Sequence, residues 1–264
     1  MDFAQFKAIQ LRRDGRVLHA TLNRPENLNA IDTALHDEIL ALFEAAAGDS
    51  ETDVLVLTGA GKAFCAGGDA SAIQETIDNP QLFMEGAEKG KKLIHAIIDC
   101  PKPIIAKVNG HAMGLGATIA LFCDITIAAE HARIADPHVK FGLPAGDGGA
   151  VIWPALIGFN RAKRYLLTGD ALTGAEATRI GLIDSAVPAS ELDATVDALA
   201  QRIAAGAPQA VQWTKLSVNI ALKQLAQSIL DTSFALEALA SRTRDHQEAI
   251  NAFLEKRSPV FTGE

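Results

Sequence analysis

Two glycine-rich turns are the places in this sequence where the backbone itself could do chemistry. The first, Gly59-Ala60-Gly61-Lys62-Ala63-Phe64-Cys65-Ala66-Gly67-Gly68-Asp69, follows a β-branched run directly, and its small residues let backbone N–H groups come close to a ligand. The second, Asn109-Gly110-His111-Ala112-Met113-Gly114-Leu115-Gly116-Ala117, also follows an apolar run and opens a helical stretch. A helix start offers free N–H donors and the positive end of a dipole. Neither turn is a nucleotide cradle. Gly114-Leu115-Gly116 begins a dinucleotide fingerprint, but Ile119 stands where its third glycine belongs, and no Gly-Lys-Ser/Thr ending follows either turn. NAD and ATP are disfavoured. The three cysteines, Cys65, Cys100 and Cys123, show no CxxC or Cys/His spacing, so neither a disulfide framework nor a metal site is expected.

The elements that would hold these turns follow from periodicity. Runs at 16–22 (RVLHATL) and 54–58 (VLVLT) read as strands ending at Asn23-Arg24-Pro25 and Gly59-Ala60-Gly61. Between them, 32–47 carries Leu35, Ile39, Leu42 and Phe43 at helical spacing, with Asp32 placed as an N-cap. The pattern returns with a helix at 83–98, a strand at 104–108, a helix from Leu115 and a strand at 125–128. Strands feeding helices feeding strands predict an α/β fold with parallel pairing. After about Ala189 strand signals stop, and 191–205, 209–230 and 234–254 read as three helices. The expected organisation is a core over 1–195 and a helical C-terminal part over 196–264. Apolar stripes at Leu216, Ile220, Leu225 and Ile229, and at Phe234, Leu236 and Leu239, predict docking on the core or on another subunit.

With 264 residues, 48% of them hydrophobic, the chain can bury a large core. Its 24 Lys and Arg against 32 Asp and Glu give a net charge of −8, which opposes nucleic acid and acidic membrane surfaces and favours a small-molecule partner. Lys89, Lys91 and Lys92 form the clearest basic run. No secretory leader or spanning segment is apparent, so a reducing, cytoplasmic setting is expected.

Several stretches in order resemble the crotonase, or enoyl-CoA hydratase/isomerase, superfamily: LNRPENLNA at 22–30, AFCAGGD at 63–69, PIIAKVNGHAMGLG at 103–116, FCDI at 122–125 and LLTGD at 166–170. Ala175-Glu176-Ala177, Gly181-Leu182-Ile183, and Phe253 to Arg257 with Pro259 and Phe261 continue the likeness. The resemblance implies a spiral of β-β-α units with a C-terminal helical trimerisation domain, assembled as a trimer or hexamer. It also implies an acyl-CoA substrate, with coenzyme A entering as part of that substrate and no prosthetic group. Matching positions make the backbone N–H groups of Ala66 and Leu115 the oxyanion hole, where one fixed donor is worth about 2.7–4 kcal/mol. Coenzyme A contacts would fall at Arg24, Leu28, Ala30, Lys62, Ala63 and Asp69, and at Phe253, Lys256 and Phe261, with Arg24 and Lys256 suited to phosphate.

The chain departs from the hydratase pattern at both catalytic glutamates, where Thr118 and His138 stand. A hydroxyl is no general base at neutral pH, whereas an imidazole is. Asp147, in Gly146-Asp147-Gly148-Gly149, supplies an acid nine residues after His138. The His138/Asp147 spacing resembles the 6-oxocamphor hydrolases of the same superfamily, which cleave a carbon–carbon bond of a β-diketone with water. Asp147 taken singly resembles the nucleophile of the 4-chlorobenzoyl-CoA dehalogenases. Three readings follow: an enzyme on an acyl-CoA or related β-dicarbonyl with an oxyanion or enolate intermediate; a hydrolytic C–C cleavage by His138 and Asp147; or a non-catalytic scaffold. Without the functional role, Asp147 would be an N-cap for a helix from Ala150 and His138 a packed loop residue.

Overall fold

The computed structural model describes residues 1–264, the side chains of Ala70 and Ser71 excepted. Strand β1 (Ile9–Asp14) turns back as β2 (Val17–Leu22) and leads into α1 (Thr33–Gly48). Asp32 caps that helix as expected, its side chain accepting from the Leu35 N–H at 2.8 Å, an interaction typically worth about 1 kcal/mol. The unit then repeats: β3 (Val54–Gly59), β4 (Ala63–Cys65), α2 (Ala70–Asp78) and α3 (Pro80–Asp99); β5 (Ile104–Val108), β6 (His111–Met113) and α4 (Leu115–Phe122); β7 (Ile125–Ala129), β8 (Arg133–Ala135), α5 (Gly149–Ile157) and α6 (Phe159–Thr168). The chain continues through β9 (Leu172–Thr173), α7 (Gly174–Ile180), β10 (Ser185–Val187), α8 (Leu192–Ala204), α9 (Pro208–Ala240) and α10 (Arg244–Glu255).

The first unit keeps both strands in one sheet, whereas each of the next three sends its first strand to that sheet and its second to another. The larger sheet runs β1-β2-β3-β5-β7-β10, and the smaller runs β4-β6-β8-β9. Beyond the β1–β2 hairpin the large sheet is parallel, as the alternation of strands and helices predicts. All six residues of β3 are buried, so this sheet is covered on both faces. Helix α8 supplies part of that cover by packing on β2, β3, β5 and β7.

One expected break is absent. Helix α9 runs through from Pro208 to Ala240 where two helices were expected to meet around 231–233, because Asp231, Thr232 and Ser233 interrupt the apolar stripe without a Gly or Pro to end the helix. Ser233 instead returns its hydroxyl to the carbonyl of Leu230 at 3.3 Å and to that of Gly146 at 2.8 Å. The basic run of α3 is neutralised in part, Lys89 pairing with Asp37 and Lys91 with Glu88 and Asp231. Among the described residues no helix is long and apolar enough to cross a membrane.

Candidate active site

The parallel strands β4 and β6 of the small sheet bring the two glycine-rich turns together. A Cβ on Gly67 would stand 2.8 Å from the Met113 carbonyl, and one on Gly116 would stand 2.5 Å from the Cys65 carbonyl. Only glycine allows that approach. Ala66 and Leu115 therefore lie on adjoining turns. Leu115 is the first residue of α4, where N–H groups have no acceptor within the helix. The Ala66 N–H is bonded to the Leu28 carbonyl at 3.1 Å, so a ligand oxygen reaching it has to displace that carbonyl. Cys65 is wholly buried and its thiol is pushed up to about 12 by burial, which makes it packing.

His138 starts a short 3-10 turn (His138–Phe141) that follows β8, and its ring lies against Gly114, 3.5 Å from where a Cβ would be. Its Nδ1 meets the Asp136 carboxylate at 2.5 Å, and its Nε2 faces Asp147 at 3.4 Å. The Thr118 hydroxyl donates to the other Asp147 oxygen at 3.0 Å. The helix cap before α5 is Gly148, not Asp147, and the Asp147 carboxylate is turned to the imidazole while also accepting from the Gly149 N–H. Thus the structure brings the His138 and Asp147 side chains together, and Thr118 joins them.

Two carboxylates that sequence reasoning passed over complete the group. Asp136, 1% exposed, holds the imidazole from two residues upstream, across Pro137. Glu237 arrives from the last turn of α9, 6% exposed, with one oxygen 4.0 Å from His138 Nε2. A signal for it existed: Leu230, Ser233, Phe234 and Glu237 share the buried stripe of α9, and an acid on such a stripe is unusual. The local signal for Asp136 was its position beside Pro137-His138.

The loop glycines make this assembly possible. A Cβ at Gly146 would lie 2.3 Å from a Glu237 oxygen, and one at Gly149 would lie 2.0 Å from an Asp136 oxygen. Gly148, at φ +118°, is pressed against Thr118 and Phe122. The charges then act on one another. Burial alone would lower the His138 pKa, but Asp147 and Asp136 outweigh it and raise it well above the ordinary value. Burial would likewise raise Asp147, yet the His138 charge and the bonds from His138, Thr118 and Gly149 hold it below the usual carboxylate range. Glu237 has no such rescue. Burial raises it and His138 opposes, but Asp147 and Asp136 repel its ionised form and it reaches about 8.

The residues expected to meet coenzyme A fall in two groups. Arg24 donates to the Ala30 carbonyl at 2.7 Å and pairs with Asp32 at 2.9 Å and Asp69 at 3.9 Å, so it knits the first turn to α1. Leu28 is 40% exposed with positive φ, Lys62 is exposed, and Ala30 and Ala63 are buried. Phe253, Lys256 and Phe261 sit at the C-terminal end, all exposed, with Phe253 packed edge-on to Phe141. Trp153 is a core residue, and His36 and His95 belong to helices α1 and α3.

The sequence matches the enoyl-CoA hydratase/isomerase family profile over residues 12–264. The chain belongs to the enoyl-CoA hydratase/isomerase family. Among relatives, it is 37% identical over 254 residues to a short-chain-enoyl-CoA hydratase of Clostridium acetobutylicum, covering 94% of each chain. It is 35% identical to the 1,2-epoxyphenylacetyl-CoA isomerase of Escherichia coli, covering 94% of this chain and 95% of that protein. An enoyl-CoA hydratase/isomerase from Mycobacterium paratuberculosis superposes with a TM-score of 0.89 at 34% identity, covering 92% of this chain and 97% of the other. These matches establish a crotonase-type α/β fold.

Proposed function

We propose that this family member acts on an acyl-CoA thioester or a related β-dicarbonyl through an oxyanion or enolate intermediate, with His138 and Asp147 handling protons where hydratases use glutamates. The observation that carries this reading is the buried imidazole held between Asp136 and Asp147 beside Gly114, the residue before Leu115. The CoA ester follows from relatives named as CoA-ester hydratases and isomerases. The proton chemistry follows from the site itself, because Thr118 spends its hydroxyl on Asp147 and offers no base.

The reaction this arrangement fits best is hydrolytic cleavage of the carbon–carbon bond between two carbonyls. Asp136 fixes the imidazole so that Nε2 faces the reacting groups, the role a carboxylate plays whenever a histidine must be oriented. Asp136 and Asp147 favour the imidazolium, so it is the smaller neutral population of His138 that takes a proton from water, and the hydroxide adds to one carbonyl. The C–C bond breaks, its electron pair passes to the second carbonyl as an enolate, and the N–H groups of Ala66 and Leu115 stabilise the oxyanion. A proton then returns to carbon. A passive scaffold gains nothing from three carboxylates buried together, which cost stability unless they serve chemistry.

Turnover on a panel of acetoacetyl-CoA, a free β-diketone and crotonyl-CoA tests this. Cleavage of a β-dicarbonyl with negligible hydration of crotonyl-CoA is expected, since no carboxylate stands at 118 or 138. Crotonyl-CoA hydration at ordinary enzyme rates, about 1–1000 per second, would overturn the reading.

Self-association is part of the same proposal. Trp213, Val218, Ile220, Leu236, Leu239 and Phe253 are each more than half exposed in the single chain, an apolar surface that a trimer or hexamer would cover.

A further inference from the structure

Glu237 is the one group of the buried cluster without a partner that explains it. Among the described residues its Oε2 makes no hydrogen bond although it is shut off from solvent. The groups facing it are His138, Asp136 and Asp147 from the β8-to-α5 segment, the Gly146 backbone, and Ser233 one turn earlier on its own helix. His246 of α10 is engaged elsewhere, at the Phe141 carbonyl, 2.6 Å away. A leucine or glutamine would fill the same seat at lower cost, and Gly146 leaves room for this carboxyl group: a Cβ there would stand 2.3 Å from Oε2, and 2.7 Å from the Glu237 Cβ and from the Ser233 carbonyl.

We propose that Glu237 is the acid of the site: its carboxyl group protonates the carbon of the enolate released by C–C cleavage, and His138 then returns a proton to it across the 4.0 Å gap. This rests on the cleavage reading above. The balance closes within the cluster. Water gives its proton to His138 and its hydroxide to the attacked carbonyl; Glu237 gives its proton to the enolate carbon and becomes a carboxylate. Transfer from the imidazolium to that carboxylate, through a small side-chain shift or one bridging water, restores both groups. Net, one water is consumed and one carboxylic acid and one ketone or thioester are formed. The elevated pKa of Glu237 agrees with this role, because the group still carries its proton at neutral pH. A carboxyl group with an ordinary pKa would have lost it.

The test uses the full chain, acetoacetyl-CoA, and a β-diketone carrying two different substituents on the carbon between its carbonyls, whose cleaved enolate becomes a stereocentre on protonation. Glu237→Gln keeps the shape and loses the acid. We expect kcat to fall by about 100-fold, as for general acid–base groups, with KM changed little. We also expect the variant's residual product to lose the enantiomeric excess of the wild type, because bulk water then protonates either face. Glu237→Asp should retain part of the rate and the stereochemical preference. Near-normal kcat with stereochemistry intact in Glu237→Gln overturns the assignment, since a structural role predicts that result. If Glu237→Gln does not fold, a Glu237→Asp product without enantiomeric excess overturns it as well. A wild-type protein that cleaves neither probe overturns the cleavage reading itself, a failure distinguishable from one confined to the variants.

Discussion

Replacing Glu237 with glutamine should change how the stability of this protein depends on pH, and the burial of the carboxyl group sets the size of the effect. In the folded chain burial, opposed by His138 and reinforced by Asp147 and Asp136, raises it from an ordinary value of 4.5 to about 8. The folded state therefore keeps a proton that the unfolded state loses above 4.5. The stabilising contribution is complete below that pH, declines as pH rises, and is gone once pH passes about 8. At roughly 1.36 kcal/mol for each pH unit between 4.5 and 8, the total is on the order of 5 kcal/mol. Glutamine does not titrate, so the difference between wild-type and variant unfolding free energies should fall by up to that amount across the window. The variant should be the more stable protein at pH 9. Urea unfolding at pH 5, 6, 7, 8 and 9 measures the curve directly. A difference that stays flat from pH 5 to 8 would refute the argument, because it would mean that Glu237 ionises in the folded protein as easily as in the unfolded chain.

Two further outcomes follow from the cluster. His138→Ala and Asp147→Asn should each lower turnover of the true substrate by roughly 100-fold or more with smaller changes in KM, and the double variant should lose much less than the product of the two, as expected for groups that act as a unit; steady-state kinetics on the four proteins checks this. Gly149→Ala would place a methyl group 2.0 Å from the Asp136 carboxylate, forcing it off the imidazole. The variant should lose about 1–3 kcal/mol of stability by thermal or urea unfolding, and the His138 titration followed by NMR should move down as its partner withdraws.

Much of the scaffold was legible in the sequence because it is written locally. The strands at 16–22, 54–58 and 104–108, the Asp32 cap and the two glycine-rich turns each follow from neighbouring residues, and each stands where the pattern places it. The absence of a carboxylate at 118 and the presence of His138 and Asp147 were equally plain. What local pattern could not supply was the continuity of α9 through 231–233, since a helix interrupted by polar residues is held by what it packs against rather than by propensity. Nor could it supply the charge state of the site. Asp136 is near His138 in sequence, but its bond to Nδ1 depends on the turn after β8, and Glu237 reaches the same imidazole only because α9 crosses over Gly146. A pKa is set by every charge within a few ångströms and by the water excluded around them. Sequence alone therefore determined which side chains were available, and only tertiary packing decided that three carboxylates and one imidazole would share a buried space and compete for its protons.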